Sequence, residues 1–128
     1  MSKNVDTKQL EELYEKLKKA SGKDIKKDIA KELGQRLLRN VKRNTPVDTG
    51  ELRRNWNSQG YETATSYDVE VFNQTKYAPY VEYGHRKRGG NGFVNGQLML
   101  TKSELRLRKK APEIINSKLE KMMREAGL

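Results

Sequence analysis

Apolar residues recur at every fourth position between about residue 24 and residue 43, and the repeat stops just before a proline. The stripe consists of Ile25, Ile29, Leu33, Leu37 and Val41, with Ala30 and Leu38 widening it. This spacing places the side chains on one face of an α-helix, a face that belongs to the core. Pro46 ends the helix, because the residue before a proline is disfavoured in the α region. The sequence therefore predicts one long helix over residues 24–43.

Two further segments have helical spacing. Residues 6–20 predict an amphipathic helix with Asp6 or Thr7 as its cap and Gly22 at its end; its stripe is Leu10, Leu13, Tyr14, Leu17 and Ala20. The segment from Leu98 to Ala126 has an apolar face made of Leu98, Leu105, Ile114, Ile115, Leu119, Met122 and Met123. Pro112 removes a backbone donor, so we expect this helix to kink or restart near Lys110-Ala111.

Between these helices, residues 67–72 alternate as a strand does. Tyr67, Val69 and Val71 point one way, and Asp68 and Glu70 point the other. Residues 64–66 are a suitable hairpin connection to a partner strand within residues 54–63. A two-stranded hairpin is not stable alone. We therefore expect it to pack on the helices or to extend a sheet in a neighbouring subunit.

Three short segments flank this hairpin. Val47-Asp48-Thr49-Gly50 is typical of a tight turn in which Gly50 takes positive φ, and Asp48 or Thr49 is placed to cap one helical turn through Glu51-Leu52-Arg53. Residues 77–84 predict a short helix that begins near Pro79, ends at Gly84 and presents Tyr80 and Tyr83. Residues 85–97 are rich in glycine and charge, and they predict a mobile loop. The whole is one α+β domain over residues 1–128, with an N-terminal helical arm (residues 1–23) and a core (residues 24–128).

Charge is distributed unevenly along the chain. Apolar and charged residues each make up 34% of the sequence and the net charge is +10, so the core is small and stands to gain by burying surface against copies or partners. Residues 45–84 carry a net charge of −3 and five of the six tyrosines, whereas residues 1–44 carry +6 and residues 85–128 carry +7. A positive protein favours contact with phosphates or acidic proteins.

The sequence contains few of the residues and motifs on which the known classes of enzyme depend. The chain has no cysteine, which excludes disulfides, thiol catalysis and Cys-ligated zinc, and His85 is the one histidine. Asp68 and Glu70 share a strand face and invite a metal-nuclease hypothesis, although ordinary solvent-exposed carboxylates explain them better. No Gly-Lys-Ser/Thr phosphate loop is present. With neither a signal peptide nor an apolar run long enough to span a membrane, we expect a soluble protein of a reducing compartment without cofactor, metal or catalytic site.

Two motifs in the middle of the chain are more specific. The first is Thr45-Pro46-Val47-Asp48-Thr49-Gly50-Glu51-Leu52-Arg53, and the second is Tyr77-Ala78-Pro79-Tyr80-Val81-Glu82-Tyr83-Gly84. In this order, the two motifs resemble the tail-completion family of long-tailed bacteriophages, the family named after gene product ten of a lambdoid phage. The resemblance extends over roughly residues 25–125. One departure is Gln97-Leu98-Met99-Leu100, where family members often carry a proline and an aromatic residue before the last helix.

The resemblance implies a structural protein of the virion neck, assembled in the host cytoplasm. It implies a ring, expected to be a hexamer, at the head-proximal end of the tail, which helps to join the tail tube or tail terminator to the head connector while the genome passes through. The matching signature residues, as shapers of the fold or as interface, are Thr45, Pro46, Asp48, Thr49, Gly50, Leu52, Arg53, Trp56, Tyr77, Pro79, Tyr80, Glu82, Tyr83 and Gly84. Trp56 and the tyrosines are residue types enriched at protein interfaces.

Two questions stay open from the sequence. The basic loop of His85, Arg86, Lys87 and Arg88 has three possible roles. It becomes ordered on the next ring of the neck, it lines the channel and contacts DNA phosphates without reading the base sequence, or it remains solvated. The alternative to a neck protein is a small basic nucleic-acid-binding module without catalysis. Such a module should bind DNA tightly as a monomer or dimer with steep salt dependence.

Overall fold

The structure is a computed structural model that describes residues 7–21, 24–47, 50–64, 66–87 and 89–127, and only the backbone at residues 7, 10, 20 and 21. The predicted positions Asp6, Gly22, Asp48, Thr49 and Arg88 lie outside the described residues. In chain order the elements are α1 (Thr7–Ser21), α2 (Ile25–Arg43), α3 (Glu51–Arg54), β1 (Trp56–Glu62), β2 (Tyr67–Asn73), α4 (Ala78–Tyr83), β3 (Gly84–Arg86), β4 (Phe93–Asn95) and α5 (Met99–Glu125). The predicted α+β class is confirmed.

Helix α2 contacts more of the other elements than any other helix or strand does, namely α1, α3, α5, β1 and β2. It begins at the predicted place, where the Asp24 side chain caps it by accepting a hydrogen bond from the Lys27 backbone N–H at 3.3 Å. Ile25, Ile29 and Val41 of its stripe are buried, while Leu33 and Leu37 are half-buried. The sheet contacts one side of α2, and α1 and α5 contact the helix as well.

The hairpin predicted between residues 54 and 72 is present. Strands β1 and β2 pair antiparallel from Trp56 opposite Asn73 to Glu62 opposite Tyr67. Their inner face approaches α2 at Gly34, where an added Cβ would lie only 2.4 Å from Cγ1 of Val69. A larger residue at this position would push the sheet away from the helix, which explains a glycine in the middle of α2.

The segment predicted as a loop over residues 85–97 is instead largely a second hairpin. Strand β3 pairs antiparallel with β4, with His85 opposite Val94 and Arg86 opposite Phe93. Gly96 follows β4 and lies against the end of α4, where an added Cβ would be 2.3 Å from the Glu82 carbonyl oxygen. Strands this short give almost no alternating pattern, and the glycines that suggested a loop are what allow the two backbones to approach.

Helix α5 is continuous across Pro112, so of the two alternatives predicted near Lys110-Ala111 the restart is wrong, while the kink stays a prediction. Proline cannot donate the helical hydrogen bond, but Ile115, Leu119 and Met122 beyond it pack against the other helices and hold the helix together. Its first turn also differs from the expectation. Leu98 lies before the helix with φ 49°, Met99 is fully buried instead, and Leu105 is 53% exposed rather than part of the apolar face.

The core has two parts. The central cluster consists of Val41, Leu52, Trp56, Val71, Ala78 and Met99. The helical cluster consists of Leu17, Ile25, Ile29 and Leu119, with partly buried residues such as Ile115 and Met122 against it. In the described part of the chain, no helix combines the length and the apolar character needed to cross a bilayer.

Candidate interaction surface

The first signature motif is tied together from within. Thr45 is buried; its Oγ1 donates to the Val41 carbonyl at the end of α2 and accepts a hydrogen bond from Nε1 of Trp56 at 2.8 Å. One guanidinium nitrogen of Arg53 donates to the Thr45 carbonyl at 3.1 Å. Buried polar groups that find partners in this way fix one arrangement of the segments that carry them. The motif thus joins the end of α2 to the start of β1.

Within the first motif, Gly50 rather than Asp48 or Thr49 is the N-cap residue of α3. Gly50 has φ 81°, as predicted, and α3 begins at the next residue. Pro46 is exposed, whereas Leu52 is buried in the central cluster and its carbonyl accepts a hydrogen bond from the Asn73 side chain at 2.8 Å. Asn73 is the last residue of β2. Its side chain also accepts hydrogen bonds from Thr75 and so shapes the link to α4.

The second motif forms α4, and one side of this helix points inward. Ala78 and Glu82, four residues apart, are buried. The Glu82 carboxylate accepts three hydrogen bonds at the start of α5, from the backbone N–H of Leu100 at 2.8 Å, the backbone N–H of Thr101 at 3.0 Å and the Thr101 hydroxyl at 2.8 Å. A carboxylate suits this place, because the first N–H groups of a helix have no partner within the helix and carry partial positive charge. The buried Glu82 therefore anchors the long C-terminal helix to the motif.

A second buried polar contact supports the same junction. Ser103 is fully buried; its hydroxyl donates to the Met99 carbonyl at 2.7 Å and accepts from the Asn44 side chain at 2.9 Å. Asn44 follows α2, so this contact ties the end of α2 to the first turn of α5. Sequence reasoning missed both residues. Their separation along the chain, 59 positions, leaves no local pattern that could reveal the pair.

The other side of α4 faces solvent. Tyr80 is 59% exposed and Tyr83 is 70% exposed, as the short-helix prediction requires. The adjoining β3–β4 hairpin adds Phe93 at 55% exposure and Val94 at 39%, neither of which sequence reasoning singled out. We call these four residues the aromatic surface. Phe93 and Val94 are consecutive in β4, so they point to opposite faces of the hairpin. Exposed tyrosine and phenylalanine are residue types that are enriched where one protein binds another.

Neighbouring residues border the aromatic surface. The ring of His85 meets that of Tyr80 edge-on, with 6.3 Å between the ring centroids. Tyr77 donates through its hydroxyl to Glu51 at 3.3 Å, which joins α4 to α3, while Pro79 is exposed at the start of α4. Of the predicted basic loop, His85 and Arg86 belong to β3 and are exposed, and Lys87 follows them. Their function in binding a partner or DNA stays a prediction.

The carboxylates of the metal-nuclease hypothesis lie on the solvent side of the sheet. Asp68 and Glu70 are both exposed on β2, and the Tyr61 hydroxyl donates to Glu70 at 3.1 Å. This hydrogen bond raises the pKa of Tyr61 above its usual value. No group of three or more His, Cys, Asp or Glu side chains suited to a metal ion occurs within the described ranges.

The structure thus gathers the two motifs around one junction and leaves aromatic residues exposed beside it, the arrangement of an assembly component. Residues 8–84 match the family model described as "Bacteriophage HK97-gp10, putative tail-component". The match spans more than half of the chain and includes both motifs, so the chain belongs to this family of bacteriophage tail components. The β3–β4 hairpin beyond Gly84 and helix α5 lie outside the match. No curated protein and no solved structure matches the chain.

Proposed function

We propose that this protein completes the head-proximal end of a phage tail and joins it to the head. It forms a ring, expected to be a hexamer, that contacts the head connector or adaptor on one side and the tail tube or tail terminator on the other. Its role is structural, without catalysis or a cofactor, and it is assembled into the virion in the host cytoplasm. Membership of the tail-component family supports a place in the virion. The finer assignment depends on the aromatic surface.

The aromatic surface carries the proposal because its exposure is costly unless a partner covers it. Tyr80 and Tyr83 lie on the same short helix whose inner side is fixed by Glu82 and Ala78. A surface held rigid before binding loses little conformational entropy when the partner arrives. The partner is therefore another virion protein at the junction, and the nearby Arg86 and Lys87 are placed either to meet that protein or to face the genome in the channel.

The experiment is complementation of a phage that lacks this gene. Tyr80→Ala with Tyr83→Ala should give a folded protein, because side chains this exposed contribute little to stability, yet filled heads and finished tails should accumulate unjoined. The matched control is Leu105→Ala, a large apolar residue that is 53% exposed on α5 away from this surface. Equal phage titres for the control and for the double variant would refute a joining role for the aromatic surface. Failure of the double variant to fold would show that the tyrosines belong to the core.

A nucleic-acid-binding module is the second candidate, favoured by the net charge of +10. The two differ in DNA affinity. A dedicated binder should lose affinity steeply and linearly in log[salt], whereas a neck protein should bind duplex DNA weakly at physiological salt. Replacing Arg86, Lys87 and Arg88 by Ser should leave folding intact; an unchanged phage titre would show that these residues are not needed for joining or for contact with the genome.

A further inference from the structure

Helices α2 and α5 border a cleft of about 320 Å³ in which every charged lining residue is basic. Its charged lining, which we call the basic cleft, is Arg36, Arg39, Arg43, Arg106 and Lys110. No carboxylate lines it within the described chain. Arg36 pairs with Glu32 at 2.9 Å, and the other four form no ion pair with a described residue. Five like charges around one cleft repel one another, and an anionic occupant would remove that repulsion.

The outer side of the β1–β2 sheet has the opposite charge. Tyr61 lies opposite Asp68 and Gln59 opposite Glu70, and residues directly opposite in an antiparallel pair share a face. Asp68 and Glu70 are exposed, and neither strand contains a lysine or an arginine. We call this side the acidic face. Its residues Asn57, Gln59, Tyr61, Asp68 and Glu70 are all exposed to solvent, so this side of the sheet is not covered by another element of the described chain.

These two surfaces lie on opposite sides of the molecule. The sheet rests on α2 at Gly34, where Val69 contacts it, and near Lys31, whose ammonium lies 5.9 Å from the Tyr67 ring centroid. With 3.6 residues per turn, Arg39 and Arg43 point roughly half a turn away from Gly34 around the same helix. Because the acidic face is the far side of the sheet, it points away from the basic cleft. Complementary surfaces on opposite sides produce head-to-tail association, which closes into a ring when the rotation between copies permits.

The spacing of the charges also agrees. Asp68 and Glu70 are two positions apart on a strand, which separates them by roughly 6.6 Å. Arg39 and Arg43 are four positions apart on a helix, which separates them by about 6 Å along its axis. Each carboxylate of one copy can therefore meet one guanidinium of another. Arginine pairs with a carboxylate through two parallel hydrogen bonds, which adds specificity to the attraction.

We propose that the basic cleft binds the acidic face of a second copy of this chain, with Asp68 and Glu70 of one copy against Arg39 and Arg43 of the next. This inference rests on the ring of the proposed function and supplies its contact between copies. The aromatic surface is not used in this contact, and it stays available to the head or tail protein.

Charge reversal on each surface tests the contact. We expect Asp68→Lys with Glu70→Lys, or Arg39→Glu with Arg43→Glu, to weaken self-association of the full chain by at least about tenfold in sedimentation experiments. Mixing the two double variants should restore association, since each retains the surface that the other has reversed. Glu12→Lys with Lys16→Glu, two exposed positions on α1, is the matched control and should associate as the unaltered protein does.

Cysteine trapping provides a second measurement, because the natural chain contains no cysteine. Two Cα atoms joined through an arginine–carboxylate pair are too far apart for a direct disulfide. A mixture of Glu70→Cys and Arg39→Cys chains should therefore be linked into a mixed dimer by a short bis-maleimide cross-linker, both in solution and in assembled tails. A mixture of Glu12→Cys and Arg39→Cys chains should not. Absence of the first dimer in both settings would overturn the inference.

The outcomes separate this inference from the proposed function. Rings that form without the Glu70–Arg39 cross-link and tolerate charge reversal uphold the ring of the proposed function and overturn the contact. A cross-link that forms as expected, in a protein whose removal leaves heads and tails joined, upholds the contact and overturns the neck assignment. Duplex DNA binding that is lost on Arg39→Glu with Arg43→Glu, while self-association is unchanged, would identify DNA as the occupant of the basic cleft and overturn the contact.

Discussion

The central cluster and the helical cluster are held together by different means. All three polar residues buried in the described chain, Thr45, Glu82 and Ser103, lie beside the central cluster and make hydrogen bonds there. The helical cluster is packed by aliphatic and methionine side chains and by Tyr14, and the ion pair of Glu11 with Lys26 beside it lies at the surface. Apolar packing accepts many arrangements of similar volume, whereas buried hydrogen bonds accept few.

This difference matches what each cluster has to position. The central cluster unites residues of α2, α3, β1, β2, α4 and α5, and it includes Ala78 of the helix that carries Tyr80 and Tyr83. The helical cluster joins three helices along faces that helical periodicity already defines. We infer that the buried hydrogen bonds of the central cluster fix the geometry on which the aromatic surface depends. The predictions below test this contrast.

The largest expected effect is the loss of Trp56. Trp56→Ala removes a 4%-exposed aromatic side chain from the central cluster and leaves Thr45 without its hydrogen-bond donor. We expect the free energy of unfolding to fall by about 3–5 kcal/mol in urea titrations. Leu105→Ala, at an exposed site, should change it by less than about 0.5 kcal/mol. A loss below about 1 kcal/mol for Trp56→Ala would mean that the central cluster is not the part that determines stability.

Glu82 comes next. Glu82→Ala leaves two backbone N–H groups and the Thr101 hydroxyl without an acceptor at the start of α5, so we expect a loss of about 2–4 kcal/mol. Glu82→Gln keeps one carbonyl acceptor and should lose about half as much. Glu104→Gln, an exposed carboxylate on the same helix, is the control for net charge. If Glu82→Ala matches this control in chemical denaturation, the carboxylate does not anchor α5.

A smaller effect separates shape from hydrogen bonding at Thr45. Thr45→Val preserves volume but removes the acceptor for Nε1 of Trp56, and an unsatisfied buried N–H should reduce the free energy of unfolding by about 1–2 kcal/mol. Thr45→Ser retains the hydroxyl and should lose less than Thr45→Val. Denaturation curves monitored by tryptophan fluorescence compare the two directly. The opposite order would mean that the methyl group, and not the hydrogen bond, fixes the turn.

The helical cluster was predictable from sequence for a physical reason. Its residues repeat at the period of the helix that carries them, so Ile25, Ile29 and Leu119 could be assigned to the core without knowledge of any partner. Strand β2 was predictable in the same way, since Val69 and Val71 alternate with two carboxylates. These features depend only on neighbours within the same element.

The candidate site was predictable only in part. Tyr80 and Tyr83 were expected to be exposed, and they are; Glu82 was named as a motif residue, but its partners at Leu100 and Thr101 were not. Phe93 was missed, because three-residue strands give no usable period. The basic cleft was missed for a related reason, since Arg39 and Lys110 are distant in sequence and meet only where α2 and α5 cross. Contacts of this kind depend on tertiary structure rather than on local pattern.

The smallest expected effect concerns the helical cluster, and it tests whether the ion pair of Glu11 with Lys26 contributes to its stability. Lys26 Nζ donates to the Glu11 carboxylate and also lies over the Tyr14 ring, 5.5 Å from its centroid. The hydrogen bond with Glu11 raises the pKa of Lys26. Because the pKa of Lys26 is higher in the folded state, the stabilisation by this ion pair is fully present below the lysine pKa of the unfolded chain. It is lost as the pH rises through the folded-state pKa. Titration of Lys26 should therefore leave the free energy of unfolding unchanged between about pH 6 and pH 9. Since both side chains are largely exposed, a double-mutant cycle with Lys26→Met and Glu11→Gln should give a coupling energy below about 1 kcal/mol that shrinks further in high salt. The cycle isolates the ion pair from the Tyr14 contact, which both backgrounds lose equally. A coupling energy above about 2 kcal/mol would show that the helical cluster also relies on a specific polar contact, and the contrast with the central cluster would no longer hold.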